Sequence, residues 1–165
     1  MIKLSLQRIN DKAPYEVKPS EDGLDFFTDF GVHYRISFTE ENPIGNCDTY
    51  QFMLRKVENV QAQHDPKVED TVLAIINEFF YANLNVLLYI CDTSDGREAK
   101  RNRLFLMWFE RHATPGRFTI RTAHTSIEDE TIYIAIIVEN RNAKLKAITD
   151  EFDATAEALT SKPEQ

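Results

Sequence analysis

DPKVEDTVLAIINEFFYANLNVLLYICD, residues 65–92, reads as a helix followed by a buried strand. It opens on a helix start. Asp65 can accept from a free backbone N–H, and Pro66 at the first helical position gives up only a donor that has no partner there. Val68, Val72, Ile75, Ile76, Phe79 and Phe80 then recur mainly at spacings of three and four. That spacing predicts an amphipathic helix of roughly four turns, ending near Asn83. Residues 86–91 form a continuous apolar run. A strand buried on both faces reads this way, and such strands are usually central and parallel. A helix feeding such a strand needs an earlier strand to complete a β-α-β unit.

Working upstream, residues 49–57 read as that strand, with Tyr50, Phe52 and Leu54 on one face. A polar loop, TEENPIGNCD (39–48), is expected before it. Residues 24–29 and 32–38 read as a hairpin around the tight-turn signal Asp29-Phe30-Gly31. In the second strand Val32, Tyr34, Ile36 and Phe38 alternate with His33, Arg35 and Ser37, the period of a half-buried strand. Residues 10–23 carry Pro14, Pro19 and Gly23 and read as turns around a short strand near 15–17. Residues 1–7 alternate Ile2, Leu4 and Leu6 and read as a short edge strand.

Downstream, a turn is expected at 92–96, then a second helix to about Arg111, broken by Pro115 and Gly116. Alternation over 117–124, a turn at 126–130 and an apolar run at 131–138 predict a hairpin. Leu145, Ile148, Phe152, Thr155 and Leu159 mark a final helix over 143–159. The whole is an α/β (α+β sandwich) fold with a mixed, mainly antiparallel sheet and a central β-α-β unit. Residues 1–160 form a single domain in this reading, and 161–165 a frayed tail.

Composition bounds the function. The 165 residues are 42% apolar and 28% charged, with a net charge of -8, ordinary for a soluble globular protein. The start of the chain has no apolar run of signal-peptide length, and the longest apolar stretch is too short to span a bilayer. A cytoplasmic location is expected, with no membrane partner. Cys47 and Cys91 are far apart, which fits a reducing compartment better than a disulfide framework. His33, His64, His112 and His124 show no metal-ligand spacing, so no metal is expected. The acidic balance opposes nucleic-acid binding, which needs clustered Lys and Arg.

One segment stands out. YICDTSDGR (89–97) followed by RNRLFLMWF (101–109) resembles the signature of a small bacterial family of uncharacterised proteins. The 32–38 strand, the Asp65-Pro66 helix opening and residues 126–130 fit the same resemblance, which implies a shared fold and no known activity. The order of elements over about 24–139 also resembles GNAT-type acetyltransferases, in which three antiparallel strands lead into a helix, a parallel strand, a helix and a terminal hairpin.

Physically, the segment is a strand, a polar turn and a basic helix start. Arg97, Lys100 and Arg101 share a helix face. Free N–H groups at a helix start attract anions, and ligands in open α/β sheets favour the carboxyl ends of strands. Thr93, Ser94, Gly96, Arg97, Lys100 and Arg101 are therefore the candidate anion site. The competing reading is structural: Asp95 with Glu98, or Ser94, caps the helix. Phe105, Trp108 and Phe109 at helical spacing read first as the face that docks this helix on the sheet, and second as an aromatic platform. Cys91 reads as a small buried hydrophobe. Ser94 lacks the elbow motif of a serine nucleophile.

No catalytic residue is selected. Under the GNAT resemblance, acetyl-coenzyme A would be the cofactor, its pyrophosphate held at the start of the Pro66 helix. The expected Q/R-x-x-G-x-G/A motif is replaced by QAQHDPKV (61–68), which has no glycine. Pro66 removes a donor there and Asp65 adds a negative charge. Tyr89 and Glu139 are available as acid or base, but nothing singles them out. The leading expectation is a non-catalytic interaction protein on a GNAT-like scaffold, without a cofactor, binding a protein partner or a second copy of itself. A divergent acyl-coenzyme A-dependent N-acyltransferase is the alternative.

Overall fold

A computed structural model describes residues 3–92, 98–112 and 114–160; the side chains of residues 91, 92, 98–104, 127 and 160 fall outside that description. In chain order the elements are α1 (Leu6–Lys12), β1 (Lys18–Ser20), β2 (Gly23–Phe27), β3 (His33–Ile44), β4 (Cys47–Lys56), α2 (Pro66–Ala82), β5 (Val86–Asp92), α3 (Glu98–His112), β6 (Phe118–Ile127), β7 (Glu130–Glu139) and α4 (Leu145–Thr160). The strands form a mixed seven-stranded sheet in the order β1-β2-β3-β4-β5-β7-β6. The fold is α+β. Strand β5 runs parallel to β4, with Thr49 to Gln51 opposite Val86 to Leu88, and antiparallel to β7. The chain divides into two compact units, Met1–Thr39 with Phe52–Leu84 and Glu40–Gln51 with Asn85–Gln165.

The first unit holds α1, β1, β2, α2 and the adjoining halves of β3 and β4. Its core is aromatic and aliphatic: Ile9, Phe26, Ile36, Phe52, Ile75, Ile76, Phe79 and Phe80 are all buried. Phe38 stacks on Phe79 with ring centroids 5.0 Å apart. Helix α2 has the expected start and stop. The Asp65 carboxylate accepts from Lys67 N at 3.0 Å, Pro66 occupies the first turn, and Asn83 ends the helix by donating its N–H to the Phe79 carbonyl. Glycine is required at Gly23, where a Cβ would stand 2.1 Å from the Ile36 carbonyl oxygen across the β2–β3 ladder.

Two upstream expectations are corrected. The described part of the expected edge strand, residues 3–7, is not a strand: 6–12 is helix α1, capped by Ser5, whose hydroxyl accepts from Arg8 N. Alternation over so few residues cannot separate a strand from a short helix, and here the cap and the burial of Ile9 decide. The short strand lies at Lys18–Ser20 rather than at 15–17, because Tyr15 and Val17 turn into the core instead.

The second unit holds the tip of the β3–β4 hairpin, β5, α3, β6, β7 and α4. Its central cluster joins Cys47, Val86, Ile136, Val138, Ile148 and Phe152. Cys47 is buried, and its Sγ accepts from Asn142 Nδ2 at 3.7 Å. The polar loop expected at 39–48 is instead mostly strand. Gly45 and Asn46 both take positive φ, 60° and 59°, the backbone of a two-residue type I′ hairpin turn. The 126–130 turn narrows to Glu128 and Asp129, also at positive φ.

Candidate functional site

Among the described residues of the first unit, three networks of charged groups join separate elements. At the first, β2 and β3 place Asp25 opposite Arg35. Arg35 Nε donates to Asp25 Oδ1 at 2.7 Å and its Nη2 to Oδ2 at 2.8 Å, while His33 Nε2 lies 2.7 Å from Oδ2. Asp25 is only 9% exposed. The bidentate Arg35 guanidinium holds its carboxyl far below the usual carboxylate range, against the opposing effect of burial, and His33 adds to the lowering. Phe27 covers the outer side by stacking on His33 at 4.2 Å. A carboxylate tied to an arginine and a histidine two positions apart on the next strand fixes register; it is a poor general base at neutral pH.

The second network joins α1 to α2. Arg8 Nε and Nη2 donate to the two oxygens of Glu78 at 2.9 and 2.7 Å, and Ser5 N donates to Oε1 at 3.0 Å. Arg8 also lies over the Tyr81 ring at 4.7 Å. The Arg8 hydrogen bonds hold the Glu78 carboxyl below its ordinary value although burial opposes this.

The third surrounds the start of α2, where a pyrophosphate would sit under the acyltransferase alternative. The Tyr15 hydroxyl donates to Asp65 Oδ2 at 2.5 Å and accepts from Asp29 N at 3.3 Å. Lys67 Nζ donates to Asp29 Oδ2 at 2.9 Å and lies 5.5 Å from the centre of the Tyr15 ring. Burial, then the bond to Asp65, raises the Tyr15 phenol above its ordinary value, so it remains a donor. The first-turn Lys67 N–H is already taken by the chain's own carboxylate, and Pro66 has none.

Of the residues singled out in the sequence, Thr93, Ser94, Gly96 and Arg97 lie outside the described residues. Lys100 and Arg101 stand in the first turn of α3, and their side chains lie outside the described set. Cys91 is in β5, again without a described side chain. Phe105, Trp108 and Phe109 do dock α3: Phe105 packs on Tyr89 at 5.2 Å, Phe109 on Phe118 at 5.2 Å, and Phe109 is fully buried. Tyr89 is thus part of an aromatic contact. Glu139, 2% exposed, accepts from Arg117 Nη2 at 2.9 Å and from Arg141, which makes it the anchor of a β7 end rather than an open base. Among the described residues no group of three or more His, Cys, Asp or Glu could hold a metal, and no helix is long and apolar enough to cross a membrane.

Sequence reasoning found Asp65 but missed its partner Tyr15, fifty residues away, and missed Asp25 and Glu78. The signal for Asp25 was present in the hairpin, since a turn at 29–31 sets Asp25 opposite Arg35.

The fold is that of an α+β protein on a mixed sheet, and the described carboxylate networks join its elements. Residues 64–154, more than half of the chain, match the model of DUF6169, a family of unknown function, and the chain belongs to that family. No curated protein and no solved structure matches it.

Proposed function

We propose that this protein is a non-catalytic binding protein built on a GNAT-like scaffold, acting through contact with another protein chain. The strand order supports the scaffold: an antiparallel set leads through α2 into β5, which is parallel to β4, and the terminal β6–β7 hairpin follows α3. The observation that carries the non-catalytic reading is the closure of the α2 start. Asp65 caps the first turn, Tyr15 holds Asp65, and Pro66 lacks a donor. A pyrophosphate would meet a carboxylate where the acyltransferase mode needs free N–H groups. Among the described residues the buried carboxylates, Asp25, Glu78 and Glu139, are each engaged by arginine.

The test is a thermal-shift titration with acetyl-coenzyme A, with coenzyme A and ATP as controls. A flat response to millimolar ligand is expected. A ligand at about a hundred times its Kd would stabilise by ~2.7 kcal/mol, a shift of several degrees at ~2–4 °C per kcal/mol for this size. A saturable shift of that size with the coenzymes overturns the reading in favour of acyl transfer.

A further inference from the structure

The two edges of the sheet are built differently. The β1 edge is three residues long and carries Lys18 and Pro19, both devices that discourage pairing with another chain. The β6 edge is ten residues long, FTIRTAHTSI, with no Pro, no Gly and no Lys. All ten pair with β7 on one side, and among the described residues no strand lies on the other. The edge is rich in Thr and Ile, residues that favour strands. Its only full charge, Arg121, is engaged on the α4 side by Asp153 at 3.7 Å. A long edge without blunting residues presents a row of backbone donors and acceptors that another strand satisfies.

We propose that β6 pairs antiparallel with β6 of a second copy of this chain about a two-fold axis near Thr122, extending the β5-β7-β6 ladder across the dimer. The sequence of the strand is self-complementary in that arrangement. With the axis at Thr122, Thr122 faces its own copy, Arg121 faces Ala123, Ile120 faces His124, and Thr119 faces Thr125. No like charges stand directly opposite, and threonine pairs across strands are favourable. A two-fold axis uses the same patch on both protomers, so no second surface has to exist. The net charge of -8 opposes association in general, but residues 117–127 contain no Asp or Glu, so the strand itself brings no carboxylate to the contact. Thr122, His124 and Ser126 are exposed and available to it. This goes beyond the proposed binding role and is independent of whether a coenzyme binds.

The experiment is sedimentation equilibrium of the full chain up to about 1 mM, the weak end of specific association, on the wild type, Thr122→Lys, Thr122→Glu and an equimolar mixture of the two variants. The wild type is expected to dimerise. Each variant alone should dimerise at least about tenfold more weakly, because like charges face each other across the axis, and the mixture should recover. Hydrogen exchange on the wild type gives a reading that does not depend on the variants folding: β6 amides should become more protected as concentration rises. A wild type that stays monomeric overturns the proposal. So does a dimer that both variants leave intact, or one whose formation leaves β6 exchange unchanged.

Discussion

Replacing Gly45 with alanine separates two costs that a turn glycine avoids. At φ +60° an L side chain pays for the left-handed backbone, about 1 kcal/mol. A Cβ there would also stand 2.5 Å from Ile148 N and 2.6 Å from its Cα, both backbone atoms of α4. No side-chain rotation relieves that contact. Either the β3–β4 tip or α4 must move, and Ile148 and Phe152 of α4 lie in the buried cluster with Cys47 and Ile136. Forced shifts in a packed core cost ~1–3 kcal/mol. The total is about 3 kcal/mol. Gly116 provides the control within the same compact unit: it has φ +76°, and a Cβ there would have nothing within 4 Å. Gly116→Ala should pay the backbone term alone, about 1 kcal/mol. Trp108, the one tryptophan of the chain, is buried in that unit and supplies a fluorescence signal for urea and thermal melts. The expected difference of about 2 kcal/mol puts the Gly45→Ala midpoint ~4–8 °C below that of Gly116→Ala. Equal losses in the two variants would refute the close approach of the hairpin tip to α4.

Two further outcomes follow from the first unit. The Glu78 carboxyl is held below its ordinary value, so its contribution to stability is fully present above the unfolded value and is lost as pH falls through the folded one. Glu78→Gln should therefore lower the urea midpoint at neutral pH, with the gap to wild type closing below about pH 4; a gap that stays constant down to pH 3 would rule out an ionised Glu78–Arg8 pair. Tyr15→Phe keeps the ring in the stack with Phe26 and removes only the hydroxyl between Asp65 and Asp29 N. It should cost about 1–2 kcal/mol, since the lost bond had a charged acceptor, and a loss under about 0.5 kcal/mol in a denaturant melt would mean that the bond contributes nothing net.

The elements that sequence reasoning located well are those whose period is long and whose ends carry specific chemistry. Helix α2 combined a cap, a first-turn proline and six apolar positions at helical spacing, and each feature holds in the structure. The β6–β7 hairpin combined alternation with an apolar run. The 39–48 region failed because its composition is that of a loop. Glu40, Glu41, Asn42 and Pro43 disfavour strands, yet β3 extends through them to Ile44. Pro43 is tolerated because the β2 ladder reaches only Ile36, so β3 has outrun its neighbour on that side. The Gly-Asn pair at 45–46 was the usable signal, being one of the short sequences that accept two successive positive φ angles.

The polar networks were harder to read because their partners are remote in sequence. Asp65 is visible as a cap from its immediate neighbours, and a cap satisfies one local N–H whatever the rest of the chain does. Whether that helix end remains open to a ligand depends on Tyr15, which arrives from fifty residues upstream. Tyr15 is in place because Phe26 and Tyr34 form a stacked aromatic row with it, at 6.1 and 5.3 Å, on the β2–β3 hairpin. The same hairpin sets Asp25 against Arg35 and ends in the turn whose Asp29 binds Lys67. The register of one hairpin thus determines both the buried ion pair and the closure of the α2 start. A one-residue slip of β2 would turn Phe26 out of the core and separate Asp25 from Arg35 at once. The chemistry of the α2 start is therefore decided by strand register elsewhere in the unit, which no window around residues 61–68 contains.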